Sequence, residues 1–351
     1  MSDTRATLAA AAPDPSMLLP WLAAQLRSIL AGRASLPHAM LFVGGAGIGK
    51  RNLAMNLAQA LLCETPRGDG TACGTCASCQ YFAAGQHPDF RLLERAITDP
   101  DGEVKLREHI LVEDVRELRD LVELSTHRLG NKVALIEPAE AMNHAAANAL
   151  LKTLEEPPPG TFLLLVSHQP GRVPATIASR CRRIVVPPPS REAAIAWLAQ
   201  NGVDAPAGVL AQANGAPLTA LALADRDTQA EREQWLAALA RPRALSPTAL
   251  SARIDALPKD ARKAHLAAVV DWLIAWTTDL ARVAANAPPG ANVDHAAALA
   301  ALAPQVARIA LSRYHRTLLG QRARLAHPLA PRLTLEALLI EYRALFDHGS
   351  R

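Results

Sequence analysis

Aromatic residues are scarce in this sequence, 4% of 351 residues. Ala and Leu carry most of its apolar half, a composition that favours helices. Long apolar runs are missing: the stretches resemble "FLLLVS", far short of the ~20 residues a membrane span requires. The N-terminus lacks a charged region leading into an apolar core and a cleavage site, so no signal peptide is expected. Those two absences predict a cytoplasmic protein with no membrane partner, in a compartment where disulfides are rare. No strong charge of one sign is present either. The net charge of +4 hints only weakly at a polyanionic partner. Internal repeats are absent, and low complexity is limited to Ala bias. The chain is too long for one ordinary domain, and two or three are expected.

Residues 1–16 read as a frayed, Ala/Pro-rich start. Helical spacing of Leu22, Leu26, Ile29 and Leu30 follows. "HAMLFVG" then reads as a buried strand, a glycine loop leads into the helix "NLAMNLAQALLC", and a Cys-rich insert spans 63–79. "LVEDVRELRDLVEL" is an amphipathic helix with acids in its first turn. "KVALIE", "TFLLLVS" and "CRRIVV" are further strands, and "HAAANALLKTLEE" is a helix stopped by Pro157 to Pro159. Apolar strands alternating with helices predict a parallel sheet covered on both faces. After Pro187–Pro189 only helical patterns appear. "RPRALSP" reads as a linker, and "RKAHLAAVVDWLIAWTTDLARVAA" as a long helix. The expected division is an α/β domain over 1–187, a small helical domain over 188–243 and a larger helical domain over 244–351.

Two motifs carry chemistry. Cys63, Cys73, Cys76 and Cys79 form a C-x9-C-x2-C-x2-C cluster whose spacing predicts a closed, structural Zn²⁺ site of four thiolates. An iron–sulfur cluster is the main rival, and disulfides are disfavoured by the compartment. Cys181 stands apart and reads as a buried small residue. The second motif is "GGAGIGKRN". Gly44, Gly47, Gly49 and Lys50 suit a phosphate-binding loop between strand and helix. Its next position should offer a hydroxyl to Mg²⁺, and Arg51 has no lone pair to offer. Glu137 ends a later apolar strand where such sites usually hold Asp. Pro138 follows, where hydrolytic loops carry a carboxylate that orients water. The alternative for the loop alone is a mere tight glycine turn.

"LPHAMLFVGGAGIGKRNLA", the four-cysteine insert, "NALLKTLEEPP" and "ATIASRCRR" occur in one order, through the first two-thirds of the chain. In that order they resemble the bacterial clamp-loader family. The resemblance implies an AAA+ P-loop α/β module with a zinc insert, a small helical lid and an all-α collar that packs into a ring of subunits. It implies that Leu218, in "GAPLTALAL", stands where motor subunits carry a nucleotide-sensing arginine. It implies a role for Arg180, in "SRC", as an arginine finger reaching a neighbour's ATP site. The bland alternative is that Arg180, with Arg172, Arg182 and Arg183, lines a solvated or DNA-facing surface. Lys152 and Glu156 are placed as an i,i+4 pair, and His127, His144 and His168 as ordinary surface or loop residues. The implied function is that of a non-hydrolysing clamp-loader subunit, in a DNA polymerase III holoenzyme but without polymerase chemistry of its own. Implied partners are the gamma/tau motors, the delta subunit, the sliding clamp and, through the complex, primed DNA. An active motor of the gamma/tau type is the alternative, and a stand-alone zinc-dependent nucleic-acid module a third. The insert has only Arg67 between Cys63 and Cys79 and no interleaved aromatics, which disfavours the third. Whether the loop holds ATP without turnover is open.

Overall fold

The computed structural model describes residues 14, 17–98, 104–123, 130–325 and 330–347. Of the start read as frayed, only Asp14 falls among these residues, and His127 lies outside them. The chain divides into two compact units, one over residues 12–193 and one from Ala194 onward.

The first unit begins with helix α1 (Ala23–Ala31), strand β1 (Ala39–Val43) and helix α2 (Lys50–Leu62). Helix α3 (Ala77–Ala83) lies in the cysteine insert. Strand β2 (Phe90–Glu94) follows, then a short antiparallel pair, β3 (Ala96–Thr98) and β4 (Val104–Leu106). Helix α4 (Val112–Glu123), strand β5 (Lys132–Glu137), helix α5 (His144–Glu155), strand β6 (Thr161–Ser167), helix α6 (Ala175–Ala178) and strand β7 (Arg182–Val185) complete it. Five strands form one parallel sheet in the order β2-β5-β6-β1-β7. Every residue of β1 and β5 is buried, which is why β1 and the interior of β5, Val133 to Ile136, are continuously apolar rather than alternating.

One face of the sheet, with Leu41, Ala134, Ile136, Leu163 and Leu165, packs under α4 and α5. Val115, Leu118 and Val122 supply the α4 stripe, and Leu150 and Leu154 that of α5. The opposite side is covered by α2, which packs against β5 and β6 with Leu53, Leu57 and Leu61 fully buried. Asn143 starts α5 by accepting the Ala146 amide at 2.7 Å, and the prolines after Glu156 stop it. Strand β2 was not expected from the sequence. Its "FRLLE" is short and only Leu93 is buried, since it is an edge strand.

The second unit is helical throughout its described residues. Helix α7 (Arg191–Gln200) leads into α8 (Pro206–Gln212), α9 (Pro217–Leu223), α10 (Arg226–Leu239), α11 (Pro247–Ala252), α12 (Lys259–Ala284), α13 (Ala296–Leu302), α14 (Arg308–Arg324) and α15 (Pro331–Asp347). Its core gathers around α12, where Leu266, Val269, Val270, Leu273 and Trp276 are buried. The Trp276 indole donates to the Tyr342 hydroxyl at 2.8 Å, which donates to the Leu239 carbonyl at 2.7 Å. The segment "RPRALSP", read as a linker, is packed instead. Pro242 and Leu245 are buried, and Leu245 shares a core with Trp235 of α10 and Leu266 of α12. Its prolines mark tight turns between helices rather than a free tether. No described helix is long and apolar enough to cross a membrane.

Candidate functional site

The glycine loop joins the C-terminal end of β1 to α2. Gly49, at φ 96°, is the N-cap of α2, and a Cβ there would lie 2.5 Å from Leu19 Cδ1. Only glycine suits both the left-handed backbone and the space. The Trp21 indole donates to the Ile48 carbonyl at 2.9 Å, and the Asn52 amide donates to the carbonyls of Asp14 and Met17, seating the preceding segment on the loop. Loop and helix start together present backbone N–H groups, the ordinary cradle for a phosphate.

Lys50 is only 2% exposed. Its ammonium donates to the carbonyls of Gly44, at 2.9 Å, and Gly45. Burial pulls it down to about 8, against the opposing pull of Glu137 and Glu140. Arg51 turns toward the ends of two neighbouring strands. Its Nη1 lies 2.7 Å from Glu94 Oε2 and 3.1 Å from Glu137 Oε2. Glu94 and Glu137 are register partners at the ends of β2 and β5. Burial raises the Glu137 carboxyl above its ordinary range, and Arg51 opposes that rise. Glu140 accepts the amides of His168 and Gln169, both at 3.0 Å, tying the turn after β5 to the loop after β6.

Arg51 and Glu137 therefore meet, Lys50 stands close enough to feel the Glu137 charge, and two residues the sequence reading passed over join them. His168, read as ordinary, is half-buried with Nε2 3.7 Å from Glu137 Oε1; burial and then Lys50 push its imidazole below its usual value. Glu94 was missed because β2 was missed. The signal was slight, since "FRLLE" ends in Glu as "KVALIE" does but its apolar residues are broken by Arg91. Pro138 follows Glu137 and brings no side-chain base. Leu218 lies half-buried on α9, in the second unit.

Arg180 sits on an exposed turn between α6 and β7. Its Nη2 and Nε lie 2.6 and 2.9 Å from Glu155 Oε1, and its Nη1 donates to the Thr176 carbonyl at 3.1 Å. None of these partners belongs to the glycine loop. The expected Lys152–Glu156 pair does not form. The last turn of α5 offers Glu155 to Arg180 instead, while Glu156 already leaves the helix at φ −127°. Arg172, Arg182 and Arg183 are exposed, and His144 receives the Asn148 amide. Cys181 is half-buried against the sheet core, and burial pushes its thiol up to about 11.

The insert brings Cys63, Cys73, Cys76 and Cys79 together, all four Sγ atoms lying within 4.8 Å of one another. Cys63–Cys76 and Cys73–Cys79 stand at 3.9 Å. That excludes disulfides and approaches the edge of about 3.8 Å expected for a tetrahedron with metal–sulfur bonds of about 2.3 Å. Backbone amides point at the sulfurs: Cys73 N at Cys63, Thr75 N and Cys76 N at Cys73, and Cys79 N at Cys76, over 3.2–3.4 Å. Such donors favour thiolates. The Thr65 hydroxyl and the Thr75 and Cys76 amides draw the Cys73 thiol down to about 5, whereas burial raises the thiols of Cys63 and Cys79. The donor set fits a metal ion. Behind it, the buried Ser78 hydroxyl donates to the Leu62 carbonyl and meets His87 Nε2 at 2.8 Å; His87 Nδ1 accepts the Asp89 amide. A neutral His87 thus carries its proton on Nε2 and links the insert to the start of β2. A second group, Glu233, Asp294 and His295, is no comparable site, because Asp294 already holds Arg232 at 2.6 Å.

Residues 21–190 match the family model described as "DNA polymerase III, delta subunit". The chain is 42% identical over 273 residues to the DNA polymerase III subunit delta' of Pseudomonas aeruginosa, covering 76% of this chain and 77% of that protein. It is 36% identical to the subunit of the same name from Escherichia coli K12, covering 63% of this chain and 65% of that protein. Among solved structures, a DNA polymerase III gamma subunit-related protein from Thermotoga maritima aligns over 93% of this chain and 99% of its own, at 18% identity and a TM-score of 0.43. With a relative at this identity covered over three-quarters of its length, the chain belongs to the DNA polymerase III subunit delta' family.

Proposed function

We propose that this chain is the delta-prime subunit of a DNA polymerase III clamp loader, and that it assists loading of the sliding clamp on primed DNA without hydrolysing ATP itself. Family membership supports the clamp-loader role. The observation that carries the non-hydrolysing reading is the side-chain content of the loop pocket. Where a hydroxyl would ligate Mg²⁺ there is Arg51, and where a carboxylate would orient water there is Pro138. Metal binding and water activation are separate requirements, and neither residue supplies its part. In this reading residues 188–243 serve as lid and 244–351 as collar, the partners are gamma/tau motors and the delta subunit, and the insert holds one structural Zn²⁺. When bound, zinc cross-links the insert; Cys63 anchors it to the end of α2 and Cys76 and Cys79 to α3.

Arg180 is the residue assigned to the neighbour's ATP site. Its position on an exposed turn supports that role, because a finger must project from its own subunit. A guanidinium at a transferring phosphoryl group stabilises developing charge and is worth ~10³–10⁵ in rate in well-studied cases. The test uses the complex reconstituted with its motor and delta subunits. The isolated chain is expected to show no ATP turnover. Arg180→Ala is expected to join the complex yet lower its clamp- and DNA-stimulated ATPase severalfold, with Arg180→Lys rescuing poorly because a point charge lacks the planar fork. Unchanged rates in an intact complex would reduce Arg180 to a surface charge. Robust turnover by the isolated chain, abolished by Lys50→Ala, would establish the gamma/tau-type motor instead.

A further inference from the structure

The glycine loop contains an arrangement that goes beyond the loss of a hydroxyl. Two carboxylates end adjacent parallel strands in register, Glu94 on β2 and Glu137 on β5. Glu137 is 8% exposed. Side by side in a half-dry pocket, the two charges repel unless a cation stands between them. Lys50 does not fill that place, since its ammonium is turned onto the carbonyls of Gly44 and Gly45. Arg51 fills it, with one guanidinium nitrogen 2.7 Å from Glu94 and 3.1 Å from Glu137.

Without that side chain, two carboxylate oxygens at the foot of a phosphate cradle would be a hard-oxygen donor set of the kind that takes Mg²⁺. With it, the donors are engaged by a cation that is covalently tethered and needs no dehydration. A free divalent ion must shed water and displace a partner that never diffuses away. The guanidinium also cannot be switched off by pH in the working range.

We infer that Arg51 is a resident cation that takes the place of the divalent metal in this pocket, neutralising Glu94 and Glu137 and closing the loop to metal-dependent polyphosphate binding. The inference deepens the non-hydrolysing reading and rests on the same loop. It adds that the site is held in one charge state by the chain itself rather than merely lacking a ligand atom. Pocket geometry then does not await Mg²⁺ or its nucleotide, and the strands whose ends define the pocket stay joined.

The test measures Mn²⁺, a spectroscopically visible stand-in for Mg²⁺, on the full zinc-loaded chain by electron paramagnetic resonance, alone and with ADP. Wild type is expected to show no Mn²⁺ binding that depends on Glu137. Arg51→Thr is expected to gain one Mn²⁺ site at least ~10-fold tighter than any in wild type, in keeping with two freed carboxylates. Adding Glu94→Gln or Glu137→Gln should remove it. Arg51→Lys, which keeps the positive charge, should exclude Mn²⁺ as wild type does. Wild-type binding that disappears in Glu137→Gln would overturn the inference whether or not Arg51→Thr folds. So would a folded Arg51→Thr that gains no site. ATP turnover, measured on the same samples, separates the two ideas. A wild type that binds Mn²⁺ at Glu137 but does not hydrolyse ATP sinks the resident cation and leaves the non-hydrolysing reading intact, whereas turnover sinks that reading.

Discussion

Lys50 shows at the residue scale how the loop pocket costs stability. A buried ammonium hydrogen-bonded to carbonyls is held to about 8 from an ordinary 10.5, the nearby Glu137 and Glu140 only partly offsetting its burial. The unfolded chain therefore binds more protons than the folded one between those values, and this residue's contribution to stability rises with pH across that window. Below about pH 8 both states are protonated and the penalty for burying the charge is fully present. Lys50→Met should accordingly stabilise the protein by ~1–3 kcal/mol near neutrality. The gain should shrink as pH rises from 8 toward 10.5, read as the difference between the two melting curves; an increment constant through pH 10.5 would refute it. Glu155 makes a different prediction. Its pair with Arg180 is surface-exposed, 51% and 38% by side chain, so Glu155→Ala should cost less than ~1 kcal/mol of folding stability. In the assembled complex it should lower ATPase less than Arg180→Ala does, and add nothing to that variant, because its effect runs through the guanidinium.

Elements are joined here by single residues with exacting geometry. Gly160, at φ 74°, precedes β6 where a Cβ would run into the Gly130 carbonyl, and its own carbonyl accepts the Lys132 amide at the start of β5. Gly160→Ala should lose ~2 kcal/mol or more through left-handed strain and this clash, measured by urea unfolding. In the proposed reading the insert behaves oppositely, as an element held by its ligands. About one zinc per chain is expected, with four thiols protected from titration. Stripping it with a chelator should expose the four thiols and unfold residues 63–79 while far-UV circular dichroism of the helices and sheet persists, since the sheet core lies in β1, β5 and β6. Four freely titrating thiols in fully folded protein as purified would argue against the metal.

Across the whole molecule, each unit has a core of its own. The first is built on a sheet whose strand ends carry the loop, and the second on α12 and the helices around it. A defect placed in one core should therefore be readable apart from the chemistry of the other. Trp276→Phe removes the indole N–H that meets the Tyr342 hydroxyl and shortens a fully buried side chain. It should cost ~1–3 kcal/mol in thermal unfolding. It should leave the Mn²⁺ behaviour of the loop unchanged, because no residue of that pocket belongs to the helical core.

The strands β1, β5, β6 and β7, the helices beside them, the cysteine spacing and the loop's missing hydroxyl were legible in sequence because each depends on local order. Burial on both faces writes a strand as an apolar run, and thiol ligands a few residues apart can close on one ion with little chain between them. What only the tertiary structure decided is pairing across long separations. Glu94 reaches Glu137 because β2 lies beside β5, and Arg51 reaches both because the loop opens at those strand ends. Arg180, though exposed, finds Glu155, and Lys152 does not find Glu156, because the exit of α5 turns one carboxylate toward the turn before β7 while Glu156 leaves the helix. "RPRALSP" looked like a tether because its prolines are visible in sequence, whereas the buried Leu245 is a property of the core it joins. Periodicity reports which face of an element is covered. Which charges meet is set by strand order, and strand order is written in no single stretch of chain.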